Sequence, residues 1–347
     1  MKIPDHLPWK STGKTLGSGG QGNVELVVHK GDPNGRLYAL KALRRVESPQ
    51  ARQRFRSEIE AVKSLTHEAI VPVVDQSEPD DDFQFYVMEY VDGALPLDRI
   101  IFGGSNSYGA DTLKCLDLFE QVVSAIQACE RSNPRIVHRD IKPNNILIVP
   151  DGSIRLIDFG ICQIQDGAMV TLVDENVGAR NYTSPECEAG NDGQVGIHSD
   201  IYSTGKVLWS AITSQSAFAR EAAVFGNRSM QTLFPNQPDT WHLTHIFEKT
   251  IRENPSDRFQ SAQQLLHEVA ELRRIISQGF PPIEQVALRC PSCGLERMNW
   301  VGRLDPDIFA TQGGMDVGWT CCAFCGYIVA RDFAVLRSHI ERTQNLN

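Results

Sequence analysis

At about residue 90 the character of the chain changes, and that change restricts the folds open to it. Upstream, short runs of β-forming residues dominate: Val24–His29, Leu37–Leu43, Ile70–Asp75 and Phe83–Glu89. One amphipathic helical stretch, Ala51–Leu65, interrupts them. Downstream, helical patterns take over at Thr112–Glu130, Ile201–Thr213, Trp241–Arg252 and Ser261–Ile276. Two short strand-like pieces, Ile146–Val149 and Arg155–Ile157, are joined there by the turn Pro150-Asp151-Gly152. This order predicts an α+β fold with a β-rich part over about 10–91 and a helical part over about 92–276. The stretch Ser277-Gln278-Gly279-Phe280-Pro281-Pro282 then ends a helix and reads as a linker. The expected division is a large domain at 1–279, a linker at 280–286 and a small module at 287–347.

Three motifs in the large domain carry chemistry. Gly17-Ser18-Gly19-Gly20-Gln21-Gly22-Asn23-Val24 has the G-x-G-x-x-G-x-V form. A dinucleotide-binding fold would need a helix after these glycines. Val24-Glu25-Leu26-Val27-Val28 reads instead as a strand, which leaves a flexible turn or a Gly-rich hairpin whose amides lie over phosphates. Lys41 ends the apolar run Tyr38-Ala39-Leu40. A buried ammonium without a partner is costly, so Lys41 is either an edge lysine in solvent or one half of an ion pair. Glu58, 17 residues on, is the candidate partner. The third motif is Val137-His138-Arg139-Asp140-Ile141-Lys142-Pro143-Asn144-Asn145, followed by Asp158-Phe159-Gly160 18 residues after Asp140.

On these residues the chain resembles the eukaryotic-type protein kinases over roughly residues 10–275. The passage Arg54–Asp75 looks like that of the bacterial-type Ser/Thr members. Ser184-Pro185-Glu186 stands where the family has Ala-Pro-Glu, and Ser199–Gly205 matches the start of a central C-lobe helix. Asn254–Phe259 matches the segment whose arginine pairs with the Ala-Pro-Glu glutamate, here Arg258 and Glu186. The resemblance implies a bilobal kinase fold and an ATP- and Mg²⁺- (or Mn²⁺-) dependent protein Ser/Thr kinase. By its motif positions Asp140 orients the substrate hydroxyl and Lys142 neutralises the moving γ-phosphoryl. Asn145 and Asp158 hold Mg²⁺, while Lys41, held by Glu58, meets the α/β-phosphates. Gly17, Gly19 and Gly22 cover the phosphates, and Val24, Ala39 and Leu147 sandwich the adenine. Met88 screens the back of that pocket, and Glu89-Tyr90-Val91 form the hinge that reads the adenine edge. Val24 and Leu147 are equally well placed as ordinary core. Thr171 is the candidate phosphosite, with Arg139 its candidate partner; Asp174 and Glu175 could supply the negative charge instead. One departure stands out: the family's usual Gly-Thr is Gly178-Ala179 here. The alternative reading is a pseudokinase scaffold that binds nucleotide and acts by protein interaction.

The small module holds five of the nine cysteines. Cys290-Pro291-Ser292-Cys293-Gly294 and Cys322-Ala323-Phe324-Cys325-Gly326 are two C-x-x-C-G knuckles with 28 residues between them. The glycine after each second cysteine permits the tight turn that lets amides face thiolate sulfurs. Two knuckles make a tetrahedral four-cysteine site suited to structural Zn²⁺, and the segment resembles a zinc ribbon. A module of about 60 residues has a marginal core without such a staple. Its expected role is recruitment of a protein partner or domain docking.

Charge bears on partners. The chain carries 34 Lys+Arg against 43 Asp+Glu, net −9, and residues 284–347 account for only −1 of it. An acidic domain and a near-neutral module argue against nucleic acid as the main partner. No apolar run approaches ~18 residues, the length of a membrane span. The N-terminus Met1-Lys2-Ile3-Pro4-Asp5 lacks a signal-peptide core. A cytoplasmic protein with mostly reduced thiols is the expectation.

Overall fold

The structure is a computed structural model that describes residues 2–19, 22–43, 56, 59–78, 80–159, 164–165, 168–169, 181–188, 195–218, 226–277, 298–303, 317–322 and 328–332. The N-terminal lobe is a five-stranded antiparallel sheet of order β1-β2-β3-β5-β4. Its strands are β1 (Trp9–Gly19), β2 (Gly22–His29), β3 (Leu37–Leu43), β4 (Val73–Gln76) and β5 (Phe85–Glu89). Strand alternation divides β3 and β5 between two faces. Leu40, Ala42, Phe85 and Val87 join Trp9 and Val27 in a small outer core. Ala39, Tyr86 and Met88 turn the other way, into the main core. Lys41 shares that inner phase and lies opposite Tyr86 in the ladder.

The C-terminal lobe begins with the two-residue strand β6 (Leu95–Pro96), which joins β7 (Ile146–Ile148) and β8 (Ile154–Leu156) in a second sheet. Helices α1 (Leu97–Phe102) and α2 (Thr112–Arg131) pack on it, and α3 (Ile197–Thr213) packs on α2. Asp111 caps α2 by accepting the Lys114 amide at 3.0 Å. Every residue of α3 from Ser199 to Ile212 is buried, so this is an interior helix, apolar or internally satisfied all round. Its one lysine shows how: Lys206 Nζ donates to the Phe218 carbonyl at 2.6 Å and lies 3.8 Å from the centre of the Phe218 ring. Helices α4 (Thr244–Thr250) and α5 (Ala262–Ser277) complete the lobe. The lobes are stitched by backbone: Val71 N donates to Leu156 O at 3.0 Å, and Leu156 N to Ala69 O at 2.7 Å.

Several expected boundaries shift. Ile70–Asp75 is not one strand, because Pro72 cannot donate to a ladder; Ile70 makes a lone parallel bridge to Leu156, and β4 starts at Val73. Trp241–Arg252 is not one α-helix: a 3-10 turn over Pro238–Leu243 precedes α4. Of the expected helix Ala51–Leu65, residues 59–64 are helical. Strands β9 (Ile164–Gln165) and β10 (Ala168–Met169) form a two-stranded pair. In the C-terminal module β11 (Met298–Arg303), β12 (Val317–Cys322) and β13 (Ile328–Asp332) form an antiparallel sheet of that order. Among the described residues no helix is long and apolar enough to cross a membrane.

Gly205 lets α3 approach the end of α4. A methyl placed there would lie 2.7 Å from Thr250 Cβ and 3.1 Å from Ile251 Cγ1. Both neighbours are buried, so Gly205→Ala must push the helices apart. We expect a loss of about 1–3 kcal/mol, measured as a lower midpoint in urea unfolding; an unchanged midpoint would refute this close contact.

Candidate functional site

The cleft between the lobes gathers polar and charged side chains from β3, β5 and the loops on either side of β7 and β8. Lys41 is 4 % exposed, a burial that demands a counter-charge. Its Nζ lies 2.9 Å from Asp158 Oδ1. The Tyr86 hydroxyl donates to the same oxygen at 2.8 Å. Burial works to raise the Asp158 carboxyl, but Lys41, the Tyr86 hydroxyl and Lys142 outweigh it and hold the group below the usual aspartate range. Asp158 adopts φ 56°, in the left-handed region, a conformation that costs a non-glycine residue energy.

Asp140 sits in a second group beside the first. Lys142 Nζ lies 3.0 Å from Asp140 Oδ2. Asn145 Nδ2 donates to that oxygen and to the Asp140 carbonyl, both at 2.8 Å. The Asn145 amide nitrogen is thereby committed to Asp140, so its oxygen is the end that can serve a cation. Asn145 and Asp158 thus form a pair of hard oxygen donors, the ligand type that Mg²⁺ takes. Ile157 N donates to Asn145 O at 3.0 Å, which links the Asp140 loop to the Asp158 loop through backbone. His138 stacks on Phe159 with ring centres 4.3 Å apart, and complete burial pushes its imidazole down to about 4, so it is neutral.

The loop is held from below by α3. Asp200, completely buried, accepts the His138 amide at 2.7 Å and the Arg139 amide at 2.8 Å. Arg139 is itself left-handed, at φ 66°. Burial pushes the Asp200 carboxyl up to about 7, against the lowering effect of the two amides. Further out, Arg258 clamps Glu186 through both nitrogens, Nη1 to Oε1 at 2.6 Å and Nη2 to Oε2 at 2.9 Å. Ser199 Oγ donates to Glu186 Oε1 at 2.6 Å.

The remaining expected positions fall as follows. The glycines close a hairpin: Gly17 is opposite Val24 and Gly19 opposite Gly22, with a strand and no helix after them. Val24, Val91 and Leu147 are partly buried, and Ala39 and Met88 are buried partners across the β3–β5 ladder. Glu89 Oε1 accepts Arg36 Nη2 at 2.7 Å. Glu58, Gly160, Thr171, Gly178, Ala179, Cys290, Cys293 and Cys325 lie outside the described residues. Cys322 ends β12. The roles of Asp200 and Tyr86 were not foreseen from sequence. The signal for Asp200 was a carboxylate near the start of a helix that has apolar residues on every side; for Tyr86 it was the alternation that places it in phase with Lys41.

The chain is similar to known proteins over most of its length. The model of the protein kinase domain family matches residues 11–270. The chain is 32 % identical over 300 residues to the serine/threonine-protein kinase PknB of Mycobacterium leprae, covering 81 % of this chain and 45 % of PknB. It is 33 % identical over 261 residues to the serine/threonine-protein kinase PrkC of Bacillus subtilis, covering 73 % of this chain and 38 % of PrkC. The matched part is thus less than half the length of either relative. Among solved structures, the PknI kinase domain of Mycobacterium tuberculosis superposes with a TM-score of 0.59 at 22 % identity, covering 76 % of this chain and 96 % of that domain. This last likeness bears on the fold.

The Arg258–Glu186 pair makes a stability prediction with a definite sign. Burial works to raise the Glu186 carboxyl, but Arg258 and Ser199 overcome it and leave the group below the usual glutamate value. Its contribution is therefore present above that usual value and is lost as pH falls through the lowered folded one. Arg258→Met should cost about 3–5 kcal/mol at neutral pH by stranding the carboxylate, and the loss should shrink as the pH is lowered. Urea unfolding at a series of pH values measures both; an equal loss at all pH values would contradict the pairing.

Proposed function

The chain belongs to the protein kinase family, in its serine/threonine branch, and on that premise we propose that it transfers the γ-phosphoryl of ATP to a serine or threonine hydroxyl of a protein. The observation that carries this reading is the joint placement of Asp140, Lys142, Asn145, Asp158 and Lys41 in one cleft. Lys41 meets the α/β-phosphates when nucleotide is bound, releasing part of its hold on Asp158. Asp140 accepts a hydrogen bond from the substrate hydroxyl and aims it at the γ-phosphorus. Lys142, already beside Asp140, neutralises charge on the moving group. Asn145 and Asp158 would hold Mg²⁺, which when bound neutralises the phosphate oxygens. Little covalent work is asked of the protein; positioning and charge supply the rate. The glycine hairpin covers the phosphates, Val24, Ala39 and Leu147 flank the base, and backbone at Glu89 to Val91 reads its edge.

The pseudokinase alternative draws support from Ala179, where the family has a threonine. The intact charged set speaks against it, since a scaffold has no need of both Asp140 and Lys142. Incubation of the chain with γ-labelled ATP, Mg²⁺ and a generic protein substrate decides between them. Wild type should transfer label, Asp140→Asn should transfer at least 100-fold less, and mass mapping should find phosphate on Thr171. Nucleotide binding without transfer would make the scaffold reading the correct one.

For the C-terminal module we propose a four-cysteine zinc site of Cys290, Cys293, Cys322 and Cys325, serving protein recruitment in the cytoplasm. Its support is the knuckle spacing. Elemental analysis should return about one zinc per chain, and Cys293→Ser should lose it; a zinc-free wild type would refute the site.

A further inference from the structure

Tyr86 is a polar residue on an apolar strand face. In β5 it alternates with Phe85 and Val87, which belong to the outer core, and it is 3 % exposed. A phenylalanine would fill this inner position as well; a buried hydroxyl is costly unless it finds a partner. The partner here is Asp158 Oδ1, at 2.8 Å and 72 residues away in sequence. The same oxygen meets Lys41 Nζ at 2.9 Å. Two donors on Oδ1 fix the rotation of the carboxylate and leave Oδ2 as the end turned to other ligands.

The two donors differ in kind. Lys41 has a long, flexible side chain that phosphates compete for, in the reading given above. Tyr86 is a rigid ring on the central part of a sheet, opposite Lys41 in the ladder, and nothing in that reading draws it away. We propose that Tyr86 is a positioning residue for Asp158: its hydroxyl keeps the carboxylate in its cation-holding orientation after Lys41 has turned to the nucleotide. The inference rests on the reading of Asp158 as a Mg²⁺ ligand. It also accounts for how Asp158 keeps a left-handed backbone at φ 56°. If Asp158 swung outward, both the strained residue and a buried hydroxyl would lose their common anchor.

The test uses the full chain and a fluorescent ADP analogue, titrated with and without MgCl₂. Tyr86→Phe keeps the ring and removes only the hydroxyl. It should bind the metal-free nucleotide within about twofold of wild type and melt at the same temperature. The MgCl₂ concentration for half-maximal gain in ADP affinity should rise about 10-fold, as for a lost hydrogen bond to a charged group. In the transfer assay kcat should recover as MgCl₂ is raised. Tyr86→Ile, which has no hydroxyl and fills the site with aliphatic carbon, should show the same Mg²⁺ shift and serves if the phenylalanine variant folds poorly. A Mg²⁺ requirement unchanged within twofold, or a tighter one, would overturn the role of Tyr86 while leaving Asp158 intact. Asp158→Asn separates the two ideas. If wild type and Asp158→Asn show the same Mg²⁺ dependence, the reading of Asp158 falls and the role of Tyr86 falls with it.

Discussion

A carboxylate with no access to water, Asp200 at the start of α3, accepts two successive amides of the loop that carries Asp140. Removing that charge from water is expensive, and burial accordingly raises the Asp200 carboxyl well above the usual aspartate value. What is gained is a fixed loop. Arg139 can hold its left-handed backbone because the adjacent amides have a partner in place. From there the order spreads outward. His138 packs on Phe159, Asn145 bonds Asp140, and Ile157 bonds Asn145. The position of Asp158 is therefore connected, contact by contact, to the interior of the helical lobe.

The second requirement is met by the sheet. A strand presents alternate residues to opposite faces, and the β3–β5 pair uses this to separate structure from chemistry. Leu40, Ala42, Phe85 and Val87 build the outer core. Ala39, Lys41, Tyr86 and Met88 form a strip that is apolar at one end and polar at the other. One ladder thereby sets a buried apolar pair, Ala39 and Met88, beside the cation of Lys41.

Much of this was legible in the sequence for identifiable reasons. The Asp140 loop and Asp158 were found because their chemistry needs particular residue types at close spacing. The sheet was found because β-forming runs are broken by turn residues. Long β1 is not legible as a strand because its lysines, serines and glycines break up the β-forming pattern. The segment before α4 was misread because one turn of 3-10 helix and one of α-helix bury nearly the same residues. Asp200 and Tyr86 escaped because their partners, 61 and 72 residues distant, are set by tertiary packing rather than by any local pattern.

The joint between the lobes has one further property. Its bonds run from the backbone of Ala69 and Val71 to the backbone of Leu156. The bonds themselves use only backbone atoms, but Ala69, Val71 and Leu156 are all buried in the main core, so a substitution at any of them must also fit the packing around the joint. Leu156 lies only two residues from Asp158, so the same short stretch of chain joins the lobes and carries Asp158. A rotation of the sheet against the helices would therefore act on the short segment that carries Asp158.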